Sequence, residues 1–98
     1  MKILLFISAL TLIHAKEIRL IDNQTGNPIK SVNVYTYKDG TTTDENGFCS
    51  LKLFNEMDNI TFSMIGYETI TRGYGEIPNI LYMQSQTIPM ELVTVFAK

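Results

Sequence analysis

From Glu17 onward the chain alternates apolar and polar residues in short runs, and no helical period persists long enough for a helix of ordinary length. The runs are Glu17–Ile21, Ser31–Tyr37, Phe48–Leu53, Ile60–Met64, Tyr67–Thr71, Ile80–Met83 and Leu92–Phe96. β-Branched and aromatic residues fill them, as a pleated, half-buried surface favours. Turn formers separate them: Asp22–Pro28 (DNQTGNP), Lys38-Asp39-Gly40, the polar Asn55–Asn59, and the Gly73/Gly75/Pro78 stretch. A period of two in segments this short, broken this often, predicts an all-β, seven-stranded antiparallel β-sandwich of the Greek-key type.

The first fifteen residues, MKILLFISALTLIHA, follow a different rule. Lys2 precedes an apolar run that ends at Ala15, just before the charged pair Lys16-Glu17. That is the layout of a secretory signal cleaved after a small residue. The run is too short to cross a hydrocarbon core about 30 Å thick as an anchor. The expected organisation is therefore a signal peptide over 1–15, a sandwich over 16–89 and a last strand or docking segment over 90–98, in an exported protein. At 98 residues there is room for one small domain. A net charge of −2 with no Lys/Arg cluster argues against nucleic-acid binding. Cys49 is the one cysteine, so no disulfide closes within the chain, and its apolar run predicts a buried thiol acting as a small hydrophobe.

The stretch TTTDENGFCSL, residues 41–51, concentrates acidic and turn-forming residues. Gly47 takes positive φ at no steric cost, Asn46 tolerates it, and Asp and Asn side chains bond local backbone. A hairpin connection accounts for Asp44-Glu45-Asn46-Gly47 without a ligand. A calcium loop needs about six oxygen ligands and an acidic residue roughly twelve positions on. From Asp44 that position falls on Asn55, beyond strand-like residues.

Taken together, DNQTGNPIKSVNVYTYKDGTTTDENGFCSL and NITFSMIGYET resemble the carboxypeptidase-regulatory-like domain, a transthyretin-like β-sandwich. Asp22, Thr25, Gly26, Pro28, Ile29, Val32, Val34, Thr42 to Phe48 and Phe62 to Glu68 carry the likeness, which covers nearly all of residues 17–97. Ser31 departs from it, standing where the family usually has glycine, which bears on the close packing of the second strand. Such domains often stand at the N-terminus of TonB-dependent outer-membrane nutrient receptors. The resemblance implies a non-catalytic accessory domain at the periplasmic face of the outer membrane of a Gram-negative bacterium. Met90 to Ala97 resembles the segment that follows the domain in those receptors, the TonB box. There the TonB-type energy-coupling protein pairs with the segment as an added strand. Glu91, Leu92, Val93, Thr94, Val95, Phe96 and Ala97 are the candidate docking residues. The same residues also fit the last strand of the sandwich. A receptor continues past Lys98 into a plug and a barrel, whereas a free module stops.

Enzyme chemistry finds little to work with. Transthyretin-like hydrolases use several histidines and a basic residue, and the single histidine here, His14, lies inside the signal segment. The carboxypeptidases that carry this domain keep their zinc ligands elsewhere. No His/Cys cluster, Ser-His pair or phosphate loop is present, so no cofactor is expected. The alternative is a free-standing secreted adhesion or glycan-binding module using an aromatic face built from Tyr35, Tyr37, Tyr67, Tyr74 or Tyr82.

Overall fold

The structure is a computed structural model in which residues 16–86 are described. The signal segment expected over 1–15 and the docking segment expected over 91–97, with the strand expected over Leu92–Phe96, lie outside the described residues. In chain order the strands are β1 (Glu17–Asp22), β2 (Asn33–Tyr35), β3 (Gly40–Thr42), β4 (Phe48–Ser50), β5 (Asn59–Ser63), β6 (Ile70–Gly73) and β7 (Ile80–Met83). A single 3-10 turn, Tyr74–Glu76, separates the last two. They form two sheets, ordered β4-β1-β7 and β3-β2-β5-β6. The alternation read from the sequence sets which residues lie between them. Ile18 and Leu20 from β1, Val34 from β2, Ile60 and Phe62 from β5, and Leu81 and Met83 from β7 are all buried in one core. Each such side chain contributes about 1.5–3 kcal/mol by leaving water.

Two sheets packed as a sandwich agree with the all-β expectation, but the pairing differs from a wholly antiparallel fold. β1 pairs antiparallel with β4 and parallel with β7, Leu20 standing beside Leu81. The chain re-enters the first sheet alongside its own first strand after passing through the second, so the two run in the same direction.

Several strand limits also move. The run over Ser31–Tyr37 shrinks to Asn33–Tyr35, because Thr36 turns the chain: its Oγ1 accepts from the Lys38 and Asp39 N–H groups. The run over Phe48–Leu53 stops at Ser50, and a turn then exposes Leu53 and buries Phe54 in its place. The run over Tyr67–Thr71 becomes Ile70–Gly73, with Tyr67 left as an isolated bridge to Ser85. β3, absent from the sequence reading, is Gly-Thr-Thr and carries no large apolar residue to reveal it.

Thr43–Gly47 is not a hairpin connection. β3 belongs to the four-stranded sheet and β4 to the three-stranded one, so this segment carries the chain from one layer to the other. It remains a tight turn. Asp44 Oδ1 accepts from the N–H groups of Asn46 and Phe48, both at 2.9 Å, and the Gly47 N–H donates to Asp44 O at 3.0 Å.

Ser31 has φ of 64°, the one non-glycine residue with positive φ among those described. This gives a physical reason for glycine at that position. The left-handed region costs an L-residue about 1–2 kcal/mol, partly offset by the larger chain entropy that glycine loses on folding. Ser31→Gly is expected to stabilise the domain by about 0.5–1 kcal/mol, measured by urea unfolding. Unchanged or lower stability would show that the serine is unstrained there.

Candidate functional site

The acidic turn is held in place from the outer side of the three-stranded sheet. Arg19 on β1 faces Phe48 on β4 in the strand register, and its guanidinium carbon lies 4.7 Å from the Phe48 ring centroid. Arg19 Nε also donates to Asn46 O at 2.9 Å. One side chain thus links the sheet face to the turn. The Asp44 oxygen that faces the turn is engaged by backbone N–H groups, which is the chemistry of a turn and not of an open ligand site. Among the described residues no group of three His, Cys, Asp or Glu side chains is placed to hold a metal ion.

Asp22, at the end of β1, does a similar task for the DNQTGNP turn and adds a tie between layers. Its Oδ1 accepts from the N–H groups of Gln24 and Thr25 at 2.8 and 2.9 Å. Its Oδ2 accepts from the Tyr67 hydroxyl at 2.6 Å. Tyr67 stands in the connection from β5 to β6, so the bond joins the two sheets. The Tyr67 hydroxyl, then the Thr25 and Gln24 N–H groups, hold the Asp22 carboxyl below its ordinary 3.8. The same bond raises the Tyr67 hydroxyl above its ordinary 10.0.

These shifts fix a pH dependence. Folding favours the ionised Asp22, so its stabilisation is complete above the ordinary carboxylate value and is lost as pH falls through the lower folded value. Folding favours protonated Tyr67, so that stabilisation is complete below the ordinary tyrosine value and is lost as pH rises through the higher folded value. The destabilisation caused by Tyr67→Phe is therefore expected to be largest between about pH 5 and 9 and to shrink below about pH 3. Urea unfolding of both proteins across that range checks it, and a penalty independent of pH would mean that only packing was lost.

Cys49 is buried in the core, and burial, then Asp44 and Glu17, push its thiol up to about 11. A thiol that holds its proton this firmly is a poor nucleophile.

The two outer sheet faces differ sharply. The four-stranded sheet presents Asn33, Thr42, Thr61, Ser63 and Thr71 outward, with a Thr61–Thr71 hydroxyl contact at 3.0 Å. The three-stranded sheet presents Arg19, Phe48, Ile80 and Tyr82 on the side opposite the core. Phe48, Ile80 and Tyr82 are 36%, 47% and 55% exposed, and Ile21 lies on the same side next to Tyr82. Of the five tyrosines, Tyr82 alone belongs to this face. Tyr67 and Tyr74 pack against the core, Tyr35 lies on the other sheet, and Tyr37 projects from a turn. No single aromatic face gathers the tyrosines. The sequence reading missed this apolar face, whose signal was the apolar filling of both sides of Ile80–Met83.

The flank beside β7 is half closed. The Glu68 N–H donates to Gln84 O at 2.9 Å and the Gln86 N–H to Gly66 O at 2.8 Å, stitching the end of β7 to the opposite layer. The candidate docking residues expected from the sequence, Glu91 to Ala97, lie outside the described residues. Compared with models of known families the chain matches none, and no curated protein matches its sequence.

Proposed function

We propose that this chain is a non-catalytic, exported carboxypeptidase-regulatory-like domain. It serves as the periplasmic accessory domain of a TonB-dependent outer-membrane nutrient receptor and takes part in coupling to a TonB-type protein. Its expected location is the periplasmic face of the outer membrane, and its docking element is Glu91 to Ala97. The observation that carries the reading is the use made of the motif residues. Asp22 closes the first turn, Thr43 and Asp44 organise the layer crossing, and Gly47 packs against β1, all within a two-layer β fold. A sequence that keeps these turn residues and then runs into ELVTVFA supports a domain followed by a strand-forming tail.

The test is calorimetric titration of residues 16–98 with the periplasmic C-terminal domain of a TonB-type protein. Binding is expected, and Leu92→Pro is expected to weaken it at least about tenfold by removing a ladder donor and distorting the strand. Absence of heat at high partner concentration, with the domain folded, would overturn the reading. A second reading, a secreted adhesion or glycan-binding module, draws on the exposed Phe48–Ile80–Tyr82 face beside Arg19. Aromatic and apolar surfaces rimmed by polar groups do serve as binding sites. Binding to a glycan panel that is lost in Tyr82→Ala while the TonB-type domain stays inert would favour it.

A further inference from the structure

Among the described strands, β7 forms the edge that has no guard. Natural sheets protect their edges with short strands, charge, proline or inward-pointing charged residues. β3 and β4 are each three residues long. β6 carries Arg72 opposite Ile60 in the register, so an exposed cation stands on its core-facing side. β7 is Ile-Leu-Tyr-Met, and residues 79–83 hold no charge. The backbone of β7 alternates in direction. The Arg19 N–H donates to Asn79 O at 2.9 Å and the Asn23 N–H to Met83 O at 3.0 Å, so the groups of Asn79, Leu81 and Met83 face β1. The N–H and C=O groups of Ile80 and Tyr82 face the other way, and no described strand pairs with them. Their side chains lie exposed on the outer face of the sheet.

This free stretch has definite ends and is its own complement. Past Tyr82, Gln84 O already accepts from the Glu68 N–H at 2.9 Å. Before Ile80 stands Pro78, which has no N–H to donate. A second copy turned about a two-fold axis at Leu81 places its Tyr82 opposite Ile80 and its Ile80 opposite Tyr82. The outward groups then meet as hydrogen-bonded pairs, each exchanging both of its N–H···O=C bonds. An aromatic side chain faces a β-branched one in both pairs, a favoured combination across strands. Pro78 falls opposite Gln84 of the second copy, so the ladder closes where neither copy has a bond to give. Residues near a two-fold axis meet their own copies, and with no charge in 79–83 nothing there repels itself.

We infer that this chain associates with a second copy of itself through β7, paired antiparallel about Leu81, so that two three-stranded sheets become one. Phe48, Ile80 and Tyr82 of both copies then share a continuous outer face. The contact is small. The ladder brings far fewer residues than the roughly 20–30 a side of a standard interface, so the dimer is weak and reversible. The inference goes beyond the coupling role and stands without it.

Sedimentation equilibrium of residues 16–98, from about 10 μM to about 1 mM, tests the association. A monomer–dimer equilibrium is expected. Tyr82→Lys sets like charges diagonally across the axis and guards the edge, and should weaken the dimer at least about tenfold. Tyr35→Lys changes an exposed tyrosine of the other sheet and should leave the dimer as it was. A monomer at every concentration, or a dimer that Tyr82→Lys leaves intact, overturns the inference. Oxidative cross-linking tests the register. Opposed Ile80 and Tyr82 place their Cα atoms about 5.5 Å apart, within disulfide reach. Like positions of the two copies lie about 8 Å apart on the diagonal, beyond it. The native Cys49 is buried and stays out of the reaction. A mixture of the Ile80→Cys and Tyr82→Cys proteins is expected to cross-link at least about tenfold faster than either protein alone. Equal rates overturn the pairing about Leu81.

Discussion

Gly47→Ala is expected to destabilise the domain by about 3–4 kcal/mol, through overpacking added to a left-handed backbone cost. Gly47 is buried with φ of +83°, and an added Cβ would lie 2.7 Å from Leu20 O, 3.1 Å from Pro28 Cβ and 3.3 Å from Ile29 N. Two of those neighbours are backbone atoms. They cannot swing aside, because the Leu20 N–H donates to Gly47 O at 2.8 Å and the Ile29 N–H to Leu20 O at 3.0 Å. Gly26 supplies the control. Its φ is +77°, but nothing lies within 4 Å of an added Cβ. Gly26→Ala should therefore cost only the backbone share, about 1–2 kcal/mol. In a domain of this size the Gly47 change corresponds to a fall of about 15 °C or more in the thermal midpoint. Equal costs at the two glycines would show that β1 and the 28–29 segment yield, and that the close approach is not what fixes glycine at 47.

Thr43→Val is expected to cost about 2–4 kcal/mol by leaving two buried backbone groups without partners. Thr43 is buried, and its Oγ1 donates to Ile29 O at 2.7 Å while accepting from the Val32 N–H at 2.9 Å. Its own backbone bonds both sides of the same loop, the Thr43 N–H donating to Val32 O and the Ser31 N–H to Thr43 O, each at 3.1 Å. The hydroxyl thus holds the loop that leads into β2 against the segment that leaves β3. Valine keeps the shape and deletes the hydroxyl, so the loss isolates the hydrogen bonds. Thr43→Ser keeps the hydroxyl and loses a methyl group, and should cost about 1 kcal/mol. Chemical unfolding ranks the pair, and serine at least as damaging as valine would assign the role of Thr43 to packing instead.

Much of this fold could be read from residue alternation, and the failures share a cause. β1, β5 and β7 alternate over four or more residues with large apolar side chains on the buried side, so their positions were clear. β3 is small and polar, and its strand character comes from pairing with β2 and not from its own composition. The parallel β1–β7 pair was hidden because period two looks the same in either direction. The crossing at 43–47 was read as a hairpin because turn chemistry tells where a chain bends and not which layer it enters next. The strain at Ser31 was invisible as strain, although the glycine expected there marked the position. Of the acidic turn, the local bonding was legible and the layer change was not: Asp44 bonds its own backbone, as Asp in such a stretch does. The edge of β7 was not legible, because edge status belongs to the assembled sheet.

We propose that the two-layer sandwich is a scaffold and that its C-terminal segment is the part that engages an energy-coupling partner. The most direct measurement is backbone NMR of residues 16–98 titrated with the C-terminal domain of a TonB-type protein. The proposal predicts shifts and line broadening concentrated at Glu91 to Ala97, and loss of the response in Leu92→Pro. Responses confined to Arg19, Phe48 and Tyr82 on the outer sheet face, or no response at any residue, would contradict it.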